Sequence, residues 1–223
     1  MRRLHFIDPW DDHSPFPPHD LALDNPPGLL AAGGSLRPQR LLMAYRRGIF
    51  PWFSEGDPVL WWSPDPRCVI FPQRIHVARR LARRMRQAPF TLTRNQAFAE
   101  VVTHCAQPRR GDVGTWIVPE MIAAYRGMHE LGHAISFECW EGDELVGGMY
   151  GIHLGHVFFG ESMFSHRSDA SKIALVTAAQ ADDIALIDCQ LPTAHLERMG
   201  AEMIPRTRFL DLLHEHGATA ART

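Results

Sequence analysis

The sequence predicts an α+β protein in which a small, loop-rich N-terminal domain, residues 1–66, packs on a larger domain, residues 67–223, built around a mixed sheet. Two apolar runs, residues 157–164 and 184–189, flank a helical pattern. Strand, helix and strand in this order imply a parallel pair joined by a right-handed crossover. Residues 134–152 precede them and predict two further strands, which form an antiparallel meander with the first run.

Turn residues and aromatic side chains predict the N-terminal domain. Residues 1–28 are rich in proline and aspartate, and we expect them to be mostly irregular and to lie on the surface. Ser35 is the predicted N-cap of a helix that ends at Gly48. Dense aromatic residues broken by proline and glycine follow, and we place the domain boundary at Pro66.

Apolar periodicity predicts the remaining elements of the larger domain. A helix over residues 75–87 has the i, i+3, i+4, i+7 stripe of an amphipathic helix. The crossover helix is expected to begin at Ser168 or Asp169 as N-cap and to end near Asp183. The other predicted elements are a strand at 90–93, helices at 95–107 and 119–131, a short helix around 196–199, a strand at 202–205 and a helix at 207–216.

Composition narrows the class of protein. A hydrophobic content of 45% and a charged content of 22% are those of an ordinary globular chain. No stretch approaches the ~20 apolar residues of a membrane span, so we expect no membrane association. Four cysteines without a CxxC pair favour a reducing cytoplasm over a disulfide framework. Thirteen histidines without HExxH spacing predict no metal site.

Charge is distributed unevenly along the chain. Eight of the 23 basic residues are arginines between Arg67 and Arg94, and residues 66–99 contain none of the 25 acidic residues. A solvated helix face is one interpretation, although such faces usually mix signs. Binding of a polyanion such as RNA is the other. The arginines of the predicted helix are Arg79, Arg80, Arg83, Arg84 and Arg86.

Polar residues lie where the two central strands end. Ligands of strand–helix–strand units bind beyond the carboxyl ends of the strands, which places Glu161, Ser162, Asp188 and Gln190 around one cleft. Strand alternation puts Asp188 and Gln190 on one face and Cys189 on the other. Glu161 would bind a substrate ammonium group or hold Ser162.

Asp188 also has a structural interpretation, because it could pair with Arg206 or cap a turn. Cys189 is expected to be a small buried hydrophobic residue rather than a nucleophile.

The order of helices, meander and crossover resembles the Gcn5-related acetyltransferase (GNAT) architecture. Several blocks also resemble the leucyl/phenylalanyl-tRNA–protein transferase family. They are Gly33-Gly34, residues 41–45, 47–53 and 60–67, Gly114-Thr115-Trp116-Ile117, residues 129–134, 144–151 and 160–165, Ala170-Ser171-Lys172, and Leu186-Ile187-Asp188-Cys189-Gln190.

The resemblance implies transfer of leucine or phenylalanine, and less well methionine, from aminoacyl-tRNA to proteins with N-terminal Arg or Lys. This transfer would mark those proteins for degradation by the bacterial N-degron pathway, with no cofactor, and we expect a monomer. It implies that the Gln190 carbonyl accepts a hydrogen bond from the attacking amine, with Asp188 holding the amide. Gly160 lies in a block that carries the resemblance.

Further substrate contacts are assigned to aromatic and apolar residues. Trp52 and Trp116 would stack on the terminal adenosine of the tRNA. Met149, Phe158 and Ile187 would line an apolar hole for the leucine or phenylalanine side chain, with plain core as the alternative for each.

Two other classes of protein remain open at this point. A coenzyme A-dependent N-acyltransferase of the same fold needs a glycine-rich loop for the pyrophosphate, and residues 165–172 contain no glycine. A non-catalytic RNA-binding module would leave Asp188 without a role.

Overall fold

The computed structural model describes residues 3–108 and 117–219 and contains two sheets. The strands are β1 His5–Ile7, β2 Leu29–Gly33, β3 Phe50–Pro51, β4 Leu60–Trp62, β5 Arg67–Ile70, β6 Thr91–Arg94, β7 Ala134–Glu141, β8 Glu144–Leu154, β9 Val157–Ser165, β10 Leu186–Gln190 and β11 Glu202–Ile204. The α-helices are α1 Pro38–Tyr45, α2 Arg79–Arg86, α3 Phe98–Cys105, α4 Pro119–Glu130, α5 Ala170–Ala179, α6 Ala194–Arg198 and α7 Arg206–Glu215, with single 3-10 turns at His19–Leu21 and Pro72–Arg74.

The N-terminal sheet has the strand order β1-β2-β4-β3. The described part of residues 1–28 is mostly irregular, as predicted, and contains the short strand β1, which pairs in parallel with β2. Trp61 on β4 is fully buried, donates its indole N–H to the carbonyl of Gly33 over 2.8 Å and meets the ring of Phe16 edge-on. A buried, hydrogen-bonded tryptophan thus anchors this small sheet.

The first helix begins later than predicted. Its N-cap is Arg37 rather than Ser35, because Pro38, with its fixed φ and missing N–H, occupies the first helical position. The Ser35 hydroxyl instead accepts from the Arg37 N–H and donates to Asp12. Regular helix ends at Tyr45, and a turn continues to Gly48, whose φ is +66°.

The larger sheet has the order β11-β5-β10-β9-β8-β7-β6. The meander of β7, β8 and β9 is confirmed, and so is the parallel β9–β10 pair joined through α5. Strand β5 was not predicted. It begins directly after Pro66 and lies antiparallel between β10 and β11, so the chain enters the larger sheet one strand from its β11 edge.

Helices cover both faces of the larger sheet. Helix α5 packs on β7, β8 and β9 and forms one apolar core with them. On the other face, α3 packs on β8 and β9 and α4 packs on β7. The apolar core of that second face includes residues of α1, α7 and the N-terminal sheet, so the two sheets share a continuous core.

Three predicted helices are shorter in the structure. Helix α2 begins at Arg79, because residues 75–78 are held in extended conformation by the hydrogen bond from the His76 N–H to the carbonyl of Met199. Helix α3 spans Phe98–Cys105 rather than residues 95–107. Helix α5 ends at Ala179 rather than near Asp183.

The predicted position of the α5 N-cap is confirmed, but no side-chain capping bond forms. Asp169 has φ +66° at the cap position, and its carboxylate accepts from the ammonium group of Lys172 at 2.6 Å instead.

Two β-bulges determine where the central strands separate. The β9–β10 ladder ends at the pair Phe159–Asp188. Beyond it, Glu161 is the extra residue of a bulge on β9 against β8, and Cys189 is the extra residue of a bulge on β10 against β5. Bulges bend a strand and re-aim its side chains, so the two strands diverge here and leave a gap.

None of the helices in the described part of the chain combines the length and apolarity needed to cross a membrane.

Candidate active site

A cavity of about 1250 Å³ opens where β9 and β10 diverge. Its wall is formed by residues of β3 and the following loop, α3, β8, β9, the start of α5, β10 and the segment leading into α6. The described residues that line it include Trp52, His104, Cys105, Met149, Gly160, Glu161, Ser162, Phe164, His166, Asp169, Lys172, Leu175, Ile187, Cys189, Gln190 and Leu196.

Glu161 receives three hydrogen bonds at the floor of the cavity. The Tyr45 hydroxyl donates to Oε1 at 2.8 Å and the Tyr125 hydroxyl donates to Oε2 at 2.6 Å, and the two hydroxyl oxygens are 2.7 Å apart. The Gln190 amide donates to Oε1 at 3.2 Å. Burial raises the pKa of Glu161 to about 7, against the lowering effect of the tyrosine hydrogen bonds. Near neutral pH this carboxyl group therefore exists in both protonation states.

Gln190 has a φ of +57°, in the left-handed region that residues other than glycine seldom occupy. The Asp188 carboxylate accepts the Gln190 backbone N–H at 3.0 Å and supports this conformation. Because the amide NH₂ group faces the Glu161 oxygen, the amide carbonyl oxygen remains available for another donor. The residue is nearly buried yet borders the cavity.

Asp188 does not share the cavity face with Gln190, and the prediction from strand alternation is wrong. The bulge shifts the register by one residue, so Cys189 and Gln190 both border the cavity while Asp188 is fully buried behind them. Its carboxylate pairs with Arg67, which is also buried, through two hydrogen bonds of 2.8 and 2.7 Å. The guanidinium group of Arg206 instead donates to the carbonyl of Ser63.

The apolar part of the wall contains Met149 and Ile187, and Gly160 and Ser162 adjoin it. Phe158 does not border the cavity as the described residues define it. Its ring is fully buried and meets Phe137 edge-on at 5.8 Å, so Phe158 has the core position that was the alternative for it.

Trp52 lies at the rim of the cavity and is 39% exposed. Its ring is 5.5 Å from that of Trp62, and the Trp62 indole N–H donates to the Trp52 carbonyl at 2.6 Å. Trp62 therefore positions Trp52, whose own ring stays open to a ligand. Trp116, the other predicted stacking residue, lies outside the described residues.

The arginines of α2 form a basic ridge near the same cavity. Arg79, Arg80, Arg83 and Arg86 are exposed, and Arg84 packs over the ring of Phe90 at 5.6 Å. Arg80 and Arg84 help to lower the pKa of Asp169, after the larger effect of Lys172. Since Asp169 and Lys172 border the cavity, the ridge adjoins its α5 side.

Sequence reasoning missed three residues of this arrangement. Tyr45, Tyr125 and Arg67 come from α1, α4 and β5, and they hold Glu161 and Asp188 from distant parts of the chain. Tyr45 and Arg67 lie in two of the motif blocks quoted above, which was the available signal. Tyr125 had no local signal, because a tyrosine on an amphipathic helix is usually a core residue.

Within the described ranges, no group of three or more histidine, cysteine, aspartate or glutamate side chains is arranged to hold a metal ion.

The cavity exceeds the ~300–1,000 Å³ usual for a single small ligand. Room for two reactants, together with a carboxyl group whose pKa lies near 7, is what a group-transfer enzyme requires. The fold and the site thus define a transferase.

Comparison with known proteins identifies the family. The family model for leucyl/phenylalanyl-tRNA protein transferase matches residues 69–214, and the model for the N-terminal domain of that family matches residues 34–65. The chain belongs to the leucyl/phenylalanyl-tRNA–protein transferase family.

Relatives that carry the family name match over most of their length. The protein of Alkalilimnicola ehrlichii is 54% identical over 219 residues, covering 96% of this chain and 85% of the relative. That of Stutzerimonas stutzeri is 54% identical over 209 residues, 92% of each chain. The Aromatoleum aromaticum protein is 56% identical over 205 residues, 90% of this chain and 86% of the relative.

Proposed function

We propose that this protein transfers leucine or phenylalanine, and less readily methionine, from aminoacyl-tRNA to the α-amine of acceptor proteins that begin with Arg or Lys. The names of its relatives support leucyl- or phenylalanyl-tRNA as the donor and a protein as the acceptor. The observation that carries the proposal is Gln190, whose amide is held against Glu161 so that its carbonyl oxygen is free beside an apolar wall.

The donor side chain would lie on the apolar wall formed by Met149, Leu175 and Ile187. An apolar surface rejects charged side chains by desolvation, but one methylene changes the binding free energy by only ~1–3 kcal/mol. Tolerance of leucine, phenylalanine and methionine is the expected consequence.

The reaction is aminolysis of the ester that joins the amino acid to the terminal ribose. The acceptor nitrogen attacks the carbonyl carbon, the carbon–oxygen bond to the ribose breaks, and the proton lost by the amine goes to the ribose oxygen. The free Gln190 carbonyl would accept a hydrogen bond from the attacking amine and orient it. Because the donor ester is already reactive, positioning supplies most of the rate enhancement.

Asp188 would be a positioning residue in this scheme. It is buried and neutralised by Arg67, so it acts through the Gln190 backbone N–H rather than on the substrates. Glu161 orients the Gln190 amide, and its ionised form would attract a cationic acceptor N-terminus.

The tRNA would bind across the rim of the cavity and the basic ridge. Trp52, and Trp116 beyond the described residues, would stack on the terminal adenosine, and each base stack contributes ~1–3 kcal/mol. Arg79, Arg80, Arg83, Arg84 and Arg86 would contact phosphates, which supports affinity without sequence choice.

The cellular role that follows is marking of proteins for degradation by the N-degron pathway in the cytoplasm, as a monomer and without a cofactor. None of the four cysteines, all of which lie in the described part of the chain, forms a disulfide, as expected in a reducing compartment. The separation of the parallel strands β9 and β10 supports the likeness to the GNAT fold. The domain boundary at residue 66 is supported by the change of sheet between β4 and β5.

The test incubates the protein with radiolabelled leucyl-tRNA and a peptide that begins with Arg, against an otherwise identical peptide that begins with Ala. Label is expected on the Arg peptide alone. Gln190→Ala should slow transfer from leucyl-tRNA and from a short leucyl-adenosine donor to the same extent. Absence of transfer from both donors would overturn the proposal, and saturable binding of coenzyme A would favour an N-acyltransferase instead.

A further inference from the structure

Two thiols lie side by side behind the cavity wall. Cys189 is the extra residue of the β10 bulge, and Cys68 on β5 is the Cα partner of the next residue, Gln190. Each thiol shifts the pKa of the other, as neighbouring thiols do, and neither is part of a disulfide. Neighbouring strands lie ~4.8 Å apart, within the ~4.4–6.8 Å Cα separation that a disulfide spans. The two cysteines are therefore near enough for a disulfide to form if the bulge moves toward β5.

Only one of the two thiols can be reached from the cavity. Cys189 is half-buried and borders the cavity, whereas Cys68 is 1% exposed and does not. A small oxidant that enters the cavity meets Cys189 first, and Cys68 is the adjacent thiol that can resolve the oxidised product.

We propose that hydrogen peroxide converts Cys68 and Cys189 to a reversible disulfide, and that this bond stops the transfer reaction. The Cys189 sulfur attacks the peroxide, giving a sulfenic acid and one water. The Cys68 sulfur then attacks the sulfenic sulfur, and a second water leaves with the proton of the Cys68 thiol. Two thiols are oxidised and one molecule of hydrogen peroxide is reduced to two molecules of water. A dithiol reverses the change by exchange.

The bond would act through Gln190. Joining Cys189 to Cys68 pulls the bulge toward β5 and changes the left-handed conformation that aims the Gln190 amide at Glu161. A displacement of ~1 Å in a positioning group can reduce rates by about 100-fold.

The protonation of the two thiols determines how readily peroxide oxidises them. The neighbouring Cys68 thiol, and then burial, raise the pKa of Cys189, and the Cys189 thiol lowers the pKa of Cys68. Since the thiolate is the reactive form, the raised pKa of Cys189 slows its attack on peroxide. The pair therefore responds to strong rather than basal peroxide exposure.

The experiment treats the full-length protein with hydrogen peroxide, then blocks free thiols with a maleimide and maps the cysteine peptides by mass spectrometry. The expected product has two fewer free thiols and a peptide that links Cys68 to Cys189. Transfer activity, which rests on the proposed function, should fall on the order of tenfold to 100-fold, as expected for a displaced positioning group, and return after dithiothreitol.

Two variants separate this bond from other oxidation, with each protein normalised to its own reduced activity. Cys68→Ala should lose the reversible inactivation, and Cys105→Ala, which removes another thiol at the cavity wall, should keep it. A sulfinic acid on Cys189 without the linked peptide overturns the proposal, and so does a linked peptide with unchanged transfer. Peptide mapping of the peroxide-treated wild-type protein shows whether the bond forms even if Cys68→Ala does not fold. If the reduced protein transfers nothing, the proposed function fails while the bond itself is still measured.

Discussion

At the scale of single residues, the site depends on two carboxyl groups with opposite environments. Glu161 borders the cavity, receives only neutral donors and has a pKa of about 7. Asp188 lies behind the wall and is paired with a guanidinium group that also packs between the rings of Phe50 and Phe209. One carboxyl group can change its charge near neutral pH, while the other stabilises a buried cation.

The raised pKa of Glu161 predicts a pH-dependent stability. The folded protein binds the proton more tightly than the unfolded chain, whose ordinary value is 4.5. The free energy of unfolding should therefore fall as pH rises from about 4.5 to about 7, and stay low above that. From pH 5 to pH 8 the wild type should lose on the order of 1–3 kcal/mol relative to Glu161→Gln. Urea unfolding of both proteins measures this difference, and parallel pH profiles would contradict it.

Removing the charge of Asp188 should destabilise the fold. Asp188→Asn leaves the buried Arg67 without a countercharge, and breaking such a pair costs about 3–5 kcal/mol. The control is Glu215→Gln, which breaks the exposed Arg208–Glu215 pair and should leave stability nearly unchanged. Chemical denaturation measures both variants. An Asp188→Asn protein with wild-type stability would show that the ion pair with Arg67 does not stabilise the fold.

At the scale of elements, the two bulges and the basic helix determine what the larger sheet can do. Without its bulge, β9 would keep the strict alternation of side chains between the two faces at Glu161. Without its bulge, β10 would turn the side chains of Gln190 and Asp188 to the same face. The extra residues change both orientations at the point where the strands separate. Helix α2 adds exposed positive charge beside that opening.

The basic ridge should contribute mainly to tRNA affinity. The variant Arg79→Ala, Arg80→Ala, Arg83→Ala removes three exposed charges and leaves Arg84 packed on Phe90. KM for leucyl-tRNA should rise, and the dependence of log affinity on log salt should become shallower by ~0.7–0.9 per lost phosphate contact. A leucyl-adenosine donor should be used as before, and Arg208→Ala on α7 is the matched control. Loss of the short donor too would show that α2 is structural.

Gly151 on β8 should be essential for packing against β9. A Cβ atom at Gly151 would lie 2.0 Å from the Phe159 carbonyl oxygen, so Gly151→Ala should destabilise the protein by several kcal/mol or abolish folding. Gly127 in α4 has nothing within 4 Å of its would-be Cβ atom. Gly127→Ala should raise stability by roughly 0.5–1 kcal/mol, because glycine is the poorer helix former. Thermal unfolding compares the two, and similar shifts would contradict the close approach of the strands.

At the scale of the whole molecule, the N-terminal sheet is part of the site rather than an appendage. Tyr45 of α1 reaches Glu161 on β9, and Trp52 after β3 forms part of the rim. The apolar core continues from Trp61 and Phe50 to Phe209 and Leu213 of α7. The cavity wall and the apolar core therefore both include residues from the N-terminal part and from the larger domain.

Residues 67–223 expressed alone should therefore fail as an enzyme. The fragment keeps Gln190 and the apolar wall but lacks Tyr45 and Trp52, and it exposes the apolar face that the N-terminal sheet covers. We expect no transfer from leucyl-tRNA and a broad, weakly cooperative thermal transition. A cooperative fragment that uses leucyl-adenosine would show that the N-terminal part serves only in tRNA binding.

The sequence by itself determined the class of fold, the meander, the parallel crossover and several of the residues around the cavity, because periodicity and chain order are local properties. It also identified the family, since the motif blocks are contiguous. The sequence did not reveal β5, because four buried residues after a proline have no distinctive pattern. Only the tertiary structure decided that Asp188 faces Arg67 and that Glu161 is held by two tyrosines. The reason is physical: a bulge of one residue reverses a strand's faces, and hydrogen bonds between residues 36 to 121 positions apart leave no periodic trace in the chain.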